Sequence, residues 1–96
     1  MMILITYDVS TETREGRRRL RRVAKTCLNY GQRVQKSVFE CQVNVMEMAR
    51  LKDQLLKEID DVQDSLRIYR IIEPLAKNRE EFGNSLATDF ESTLIV

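Results

Sequence analysis

The sequence predicts a two-layer α+β sandwich, with two helices on one face of an antiparallel sheet. Three observations predict it. The chain has 96 residues, the size of one domain. Runs rich in Ile, Val and Leu alternate with segments of helical apolar spacing. Only two such helical segments occur, too few to cover both faces of a sheet.

Each element follows from its residues. Met2 to Val9, MILITYDV, is a strand rich in Ile and Leu. Ser10 to Thr13 is polar and offers N-cap residues for a helix. From Gly16 to Leu28 the small and apolar residues fall at 16, 20, 23, 24, 27 and 28, the spacing of an amphipathic helix. At about 100° per residue, Arg14, Arg18, Arg21, Arg22 and Lys25 cluster opposite that stripe, with Arg17 and Arg19 on its flanks. Tyr30-Gly31 ends the helix, with glycine as a left-handed cap.

Arg33 to Val43, RVQKSVFECQV, reads as one strand. Asn44, followed by Glu47, is a capping box. It opens a helix with apolar residues at 45, 48, 51, 55, 56 and 59. Asp60 to Asp64 is an acidic turn, and Ser65 to Ile72, SLRIYRII, is another strand. Pro74 interrupts it. A short strand over Arg79 to Phe82, closed by Gly83-Asn84, and a last one over Thr93 to Val96 are expected after it. With the Arg79–Phe82 strand counted, the order is βαββαβ, a ferredoxin-like sandwich. Residues 1–96 form a single domain, and residues 73–96 supply its C-terminal strands.

The helix-free face should then be polar, and it is not. In the first strand Ile3, Ile5, Tyr7 and Val9 point one way, and Leu4, Thr6 and Asp8 the other. In the third strand Leu66, Ile68 and Ile72 oppose Arg67, Tyr69 and Ile71. Apolar residues on both faces predict a cover for the second, most simply another copy of the sheet in a two-fold homodimer. A chain this small buries only roughly 60–65% of its unfolded surface, so such a partner would also add stability.

Composition excludes several chemistries. There is no histidine, which removes Ser-His-Asp and Cys-His triads and almost every zinc site. Cys27 and Cys41 have no ligand spacing and no disulfide framework. They are expected to be reduced and buried, as free cysteines commonly are. The apolar runs are far shorter than the roughly 20 residues of a membrane span, and the N-terminus lacks the pattern of a signal peptide. A cytoplasmic protein without a membrane partner is expected.

The net charge of +1 hides an asymmetry. Residues 14–36 hold nine basic groups and the single acid Glu15, a net +8, so the rest of the chain is −7. Ordinary solvated helix faces mix both signs to gain i,i+4 pairs. A concentrated positive field is instead the footprint of a polyanion-binding surface, and nucleic acid is the expected partner.

Asp8 ends the first strand. On a two-fold axis between sheets it would approach its own symmetry mate. Two facing carboxylates repel, and a divalent cation between them relieves the repulsion. Magnesium suits the place because it binds through one or two carboxylates and takes phosphate oxygens as further ligands. The other reading of Asp8 is a cap for the first helix or the following turn.

ILITYDV, NYGQRVQKSVFE and SLRIYRI, in this order within 72 residues, closely resemble the small CRISPR-associated endonuclease family. This is the ferredoxin-like subunit of the CRISPR spacer-acquisition complex. The resemblance covers Met2 to about Ile72 and extends weakly through EFGN and the terminal TLIV. It implies that Asp8 is the catalytic and metal-binding aspartate, sharing one magnesium or manganese ion per dimer with its twin. It places Tyr7, Ser37 and Phe39 around the metal cleft. Tyr7 is expected to pack rather than react, and Phe39 fits a core position equally well. It assigns Arg14, Arg18, Arg22 and Arg33 to the nucleic-acid backbone.

The resemblance thus implies a prokaryotic, magnesium-dependent endonuclease acting on single-stranded RNA or double-stranded DNA. Its implied partners are a second copy of the chain and the CRISPR integrase. A non-catalytic DNA-binding bridge between integrase dimers is the alternative. A toxin-like ribonuclease with an antitoxin partner is a third.

Overall fold

The most apolar strand of the sequence lies inside the sheet. β1 (Met2–Asp8) pairs on one edge with β3 (Val38–Gln42) and on the other with β4 (Ser65–Ile71), both antiparallel. β2 (Gly31–Gln35) closes the order β2-β3-β1-β4. Helices α1 (Arg14–Leu28) and α2 (Val45–Glu58) make the crossovers, and a single 3-10 turn spans Leu75–Lys77. These elements come from a computed structural model that describes residues 1–84. The expected strand at Thr93 to Val96 lies outside the described residues.

The order is βαββαβ, reached by a route that corrects the sequence reading. Arg33 to Val43 is a hairpin of two strands, turning at Lys36-Ser37, and not one strand. Eleven extended residues would span about 36 Å, far beyond the roughly 23 Å of a seven-residue partner such as β1. A register shift between Arg33 and Gln35 twists the hairpin further. Arg79 to Phe82, expected to be a strand, forms none.

Both helix starts match their sequence signals. The Thr13 hydroxyl accepts from the Gly16 N–H at 3.0 Å. Asn44 and Glu47 form a reciprocal capping box, at 2.8 and 3.0 Å. The end of α1 differs from expectation. Asn29 caps it in right-handed conformation, and Gly31 does not have positive φ. Gly31 is needed for a different reason: as the first residue of β2, a β-carbon there would strike the Glu40 carbonyl and the Cys41 side chain.

The core lies between the sheet and the helices. Ile3, Ile5, Tyr7 and Val9 pack with Phe39, Cys41 and Val43, and with Val23 and Cys27 of α1 and Leu51 and Leu55 of α2. Full burial of each large apolar side chain stabilises by roughly 1.5–3 kcal/mol. Ile5 faces Phe39 on one side and Ile68 on the other, so one residue joins three strands.

Two polar ties hold the periphery. The Arg19 guanidinium meets Asp64 at 2.9 Å, and Asp64 also accepts from the Ser10 and Asp60 N–H groups at 3.1 and 2.8 Å. Burial alone would push the Asp64 carboxyl up. The hydrogen bonds from Arg19, Asp60 and Ser10 outweigh it and hold the carboxyl below its usual value. The second tie lies on the helix-free face, where buried Glu40 pairs with Arg79 at 3.1 Å and Arg79 with Glu81 at 2.9 Å. Leu75 is buried nearby in sequence and outside the main core cluster, as is Met2. The chain after β4 therefore supplies part of the cover that the sequence reading assigned wholly to a second copy.

Candidate active site and nucleic-acid interface

Strand alternation separates the candidate residues into two groups. Asp8 pairs in register with Ser65, and Thr6 with Arg67 and Leu4 with Tyr69, all on the helix-free face. Asp8 is exposed at the end of β1. Tyr7 points the opposite way, into the helix layer. It is 6% exposed and stacks on Phe39 with ring centroids 6.2 Å apart.

Asp8 does not cap α1, since Thr13 holds that position. Among the described residues no group of three or more His, Cys, Asp or Glu could hold a metal ion. At the end of β1 one chain offers the Asp8 carboxylate. A magnesium ion accepts one or two carboxylates with water and phosphate as further ligands. The exposed Asp8 carboxylate fits that chemistry as one ligand.

The helix-free face that carries Asp8 retains apolar character along the strands. Tyr69 is 46% exposed, while Leu4, Thr6, Val38 and Ile71 are half-buried. Arg67 donates to the Tyr69 hydroxyl at 3.4 Å.

The remaining residues placed near a metal cleft lie elsewhere. Phe39 is fully buried in the core. Tyr7 and Ser37 line a cleft of about 350 Å³ between α1 and the β2–β3 hairpin, together with Leu20, Arg21, Ala24, Arg33 and Lys36. The Tyr7 N–H donates to the Ser37 carbonyl at 3.1 Å, and its hydroxyl to the Lys36 carbonyl at 3.4 Å. Burial pushes the Tyr7 phenol up, against the opposing pull of Arg33. The Arg33 guanidinium lies 5.1 Å from the Phe39 ring centre, in cation–π contact. Within one chain, then, Asp8 is separated from Tyr7, Ser37 and Phe39 by the sheet.

The basic helix keeps its charge outward. Arg14, Arg18, Arg22 and Arg33 are exposed, as are Arg17, Arg21 and Lys25. Arg14, Arg18 and Arg22 recur at i,i+4 and so form one row, about 12 Å long. Arg19 is taken up by Asp64 in an ion pair, and Arg17 donates to the Thr11 carbonyl at 3.1 Å. The sequence placed Arg19 on the flank of the helix, and its partner in the acidic turn was visible only by charge.

The chain is similar to known proteins over most of its length. A family model described as CRISPR associated protein Cas2 matches residues 1–79. The chain is 56% identical over its full length to the CRISPR-associated endoribonuclease Cas2 1 of Moorella thermoacetica, all of which is covered. It is 50% identical to the CRISPR-associated endonuclease Cas2 of Halalkalibacterium halodurans, over 99% of each chain. The fold matches the crystal structure of Streptococcus pyogenes Cas2 with a TM-score of 0.78 and 51% identity, over 86% of this chain and all of that one.

Proposed function

The chain belongs to the Cas2 family, and from that premise we propose that it is a CRISPR-associated, magnesium-dependent endonuclease of single-stranded RNA or double-stranded DNA. The observation that carries the reading is the exposed Asp8 carboxylate at the end of β1, on the sheet face left free by both helices. Two copies joined through that face bring two Asp8 side chains together. The names of its relatives, endoribonuclease and endonuclease, support the same chemistry.

A divalent ion between the carboxylates would supply an acidified water and neutralise phosphate charge. The chain's own residues do the rest. The Asp8 pair would hold the ion. Arg14, Arg18 and Arg22 fix the backbone of the nucleic acid through charge-assisted, bidentate contacts. Hydrolysis by water leaves a linear phosphate, on the 5′ end when the 3′-oxygen departs, whereas attack by a 2′-hydroxyl would leave a cyclic phosphate. In the cell the dimer takes part in spacer integration with the CRISPR integrase in the cytoplasm.

The row of outward arginines also favours a second reading, a DNA-binding bridge between integrase dimers that needs no catalysis. Cleavage assays on single-stranded RNA and duplex DNA, with magnesium titrated, separate the two. Asp8→Asn should reduce cleavage by roughly 100-fold or more, beyond the usual cost of disturbing a metal ligand's support. If wild type cuts neither substrate, the bridge stands alone.

A further inference from the structure

The cleft on the helix side of the sheet has no role in the reading above. Its mouth carries three cations, Arg21 from α1 and Arg33 and Lys36 from the hairpin. Among the described residues none of the three is in an ion pair with an acid. Arg33 stacks on Phe39 and hydrogen-bonds with Tyr7, and its five-donor guanidinium keeps further N–H groups for a ligand. The inner wall is different in kind: Leu20, Ala24 and the buried ring of Tyr7. Ser37 adds a hydroxyl beside Lys36.

We propose that this cleft binds one 5′-phosphorylated nucleotide, its phosphate held by Arg21, Arg33 and Lys36 and its base laid on the Leu20–Ala24–Tyr7 wall. Three features select that ligand. The volume of about 350 Å³ lies at the low end for small-molecule sites, enough for one nucleotide and not for a longer strand. Three cations without an acid favour a phosphate monoester, a dianion, over the singly charged diester of an internal link. An apolar, partly aromatic wall suits a base and gives inorganic phosphate nothing further. The site stands apart from Asp8, across the sheet, so the inference does not rest on the nuclease reading.

The ligand has two sources, a free mononucleotide or the 5′-end of a strand. The test is NMR titration of the full chain with adenosine 5′-monophosphate, adenosine, inorganic phosphate, and a short oligonucleotide with and without a 5′-phosphate. The monophosphate should shift Tyr7, Leu20, Ala24 and Ser37 and bind at least roughly tenfold tighter than adenosine or phosphate, as expected when charged hydrogen bonds and stacking act together. Binding of the phosphorylated oligonucleotide through the same residues identifies a strand end. Its failure to shift them, with the mononucleotide bound, identifies a free nucleotide.

Arg21→Glu and Lys36→Glu should each weaken binding at least roughly tenfold, while Lys52→Glu on the exposed side of α2 should not. Ala24→Leu fills the wall without changing charge and should also weaken it. Asp8→Asn should leave it unchanged, whatever happens to cleavage. Equal binding of phosphate and the monophosphate, or insensitivity to both charge reversals in folded protein, overturns the proposal.

Discussion

The Asp64 carboxylate is fully buried against Arg19, 2.9 Å away, and the same carboxylate receives the backbone of Ser10 and Asp60. One side chain thus joins α1, the loop after β1 and the turn before β4. Asp64→Ala removes all of these acceptors and leaves donors with poor substitutes. The expected cost is about 2–3 kcal/mol, the range for a hydrogen-bonded buried charge. In a domain of this size that lowers the melting temperature by roughly 10 °C or more. Urea denaturation of the variant checks it.

The same group sets the acid side of the stability profile. Its folded pKa lies below the ordinary value of 3.8, so the unfolded chain binds the proton first as pH falls. The contribution is fully present above the ordinary carboxylate range and is lost as pH drops through the depressed folded value. Wild type should therefore lose melting temperature below about pH 4 more steeply than Asp64→Asn, with the two curves parallel at neutral pH. Parallel curves throughout would remove Asp64 as the titrating group.

Burial pushes the thiols of Cys27 and Cys41 up to about 12. Both are fully buried, so almost no thiolate exists in the native protein at pH 8. A disulfide reagent should label neither cysteine in buffer and both in denaturant. Rapid native labelling would show that α1 opens from the sheet on the timescale of the reaction.

These behaviours were partly legible in the residues. The apolar period of Val23 and Cys27, the capping box at Asn44 and the alternation of Ile3, Ile5 and Tyr7 are local signals, and each element they mark is present. The β2–β3 hairpin was missed because Lys36-Ser37 carries none of the Asn-Gly or Asp-Gly chemistry that marks a two-residue turn. Gly31 was assigned to a helix cap because its close approach to Glu40 depends on that hairpin. The Glu40–Arg79 pair spans 39 residues and replaces an expected strand with a single anchoring side chain. No local pattern announces such a contact. Strand alternation did place Tyr7 and Asp8 on opposite faces. Which of their neighbours each face would collect required the register.

The position of Asp8 leads to a prediction that separates metal binding from folding. Its side chain is exposed in the single chain and lies outside the core, so Asp8→Asn should shift monomer stability by no more than about 0.5 kcal/mol, as surface substitutions do. Its effect on a dimer has the opposite sign to that of most site mutations. Two facing carboxylates repel unless a cation lies between them. Chelator should therefore weaken wild-type self-association, and magnesium should restore it. Asp8→Asn, with no charge to neutralise, should associate equally well in either condition. Analytical ultracentrifugation of both proteins, with chelator and with magnesium, reads this directly. Self-association of wild type that is indifferent to chelator would place Asp8 away from the two-fold axis and remove the shared metal site.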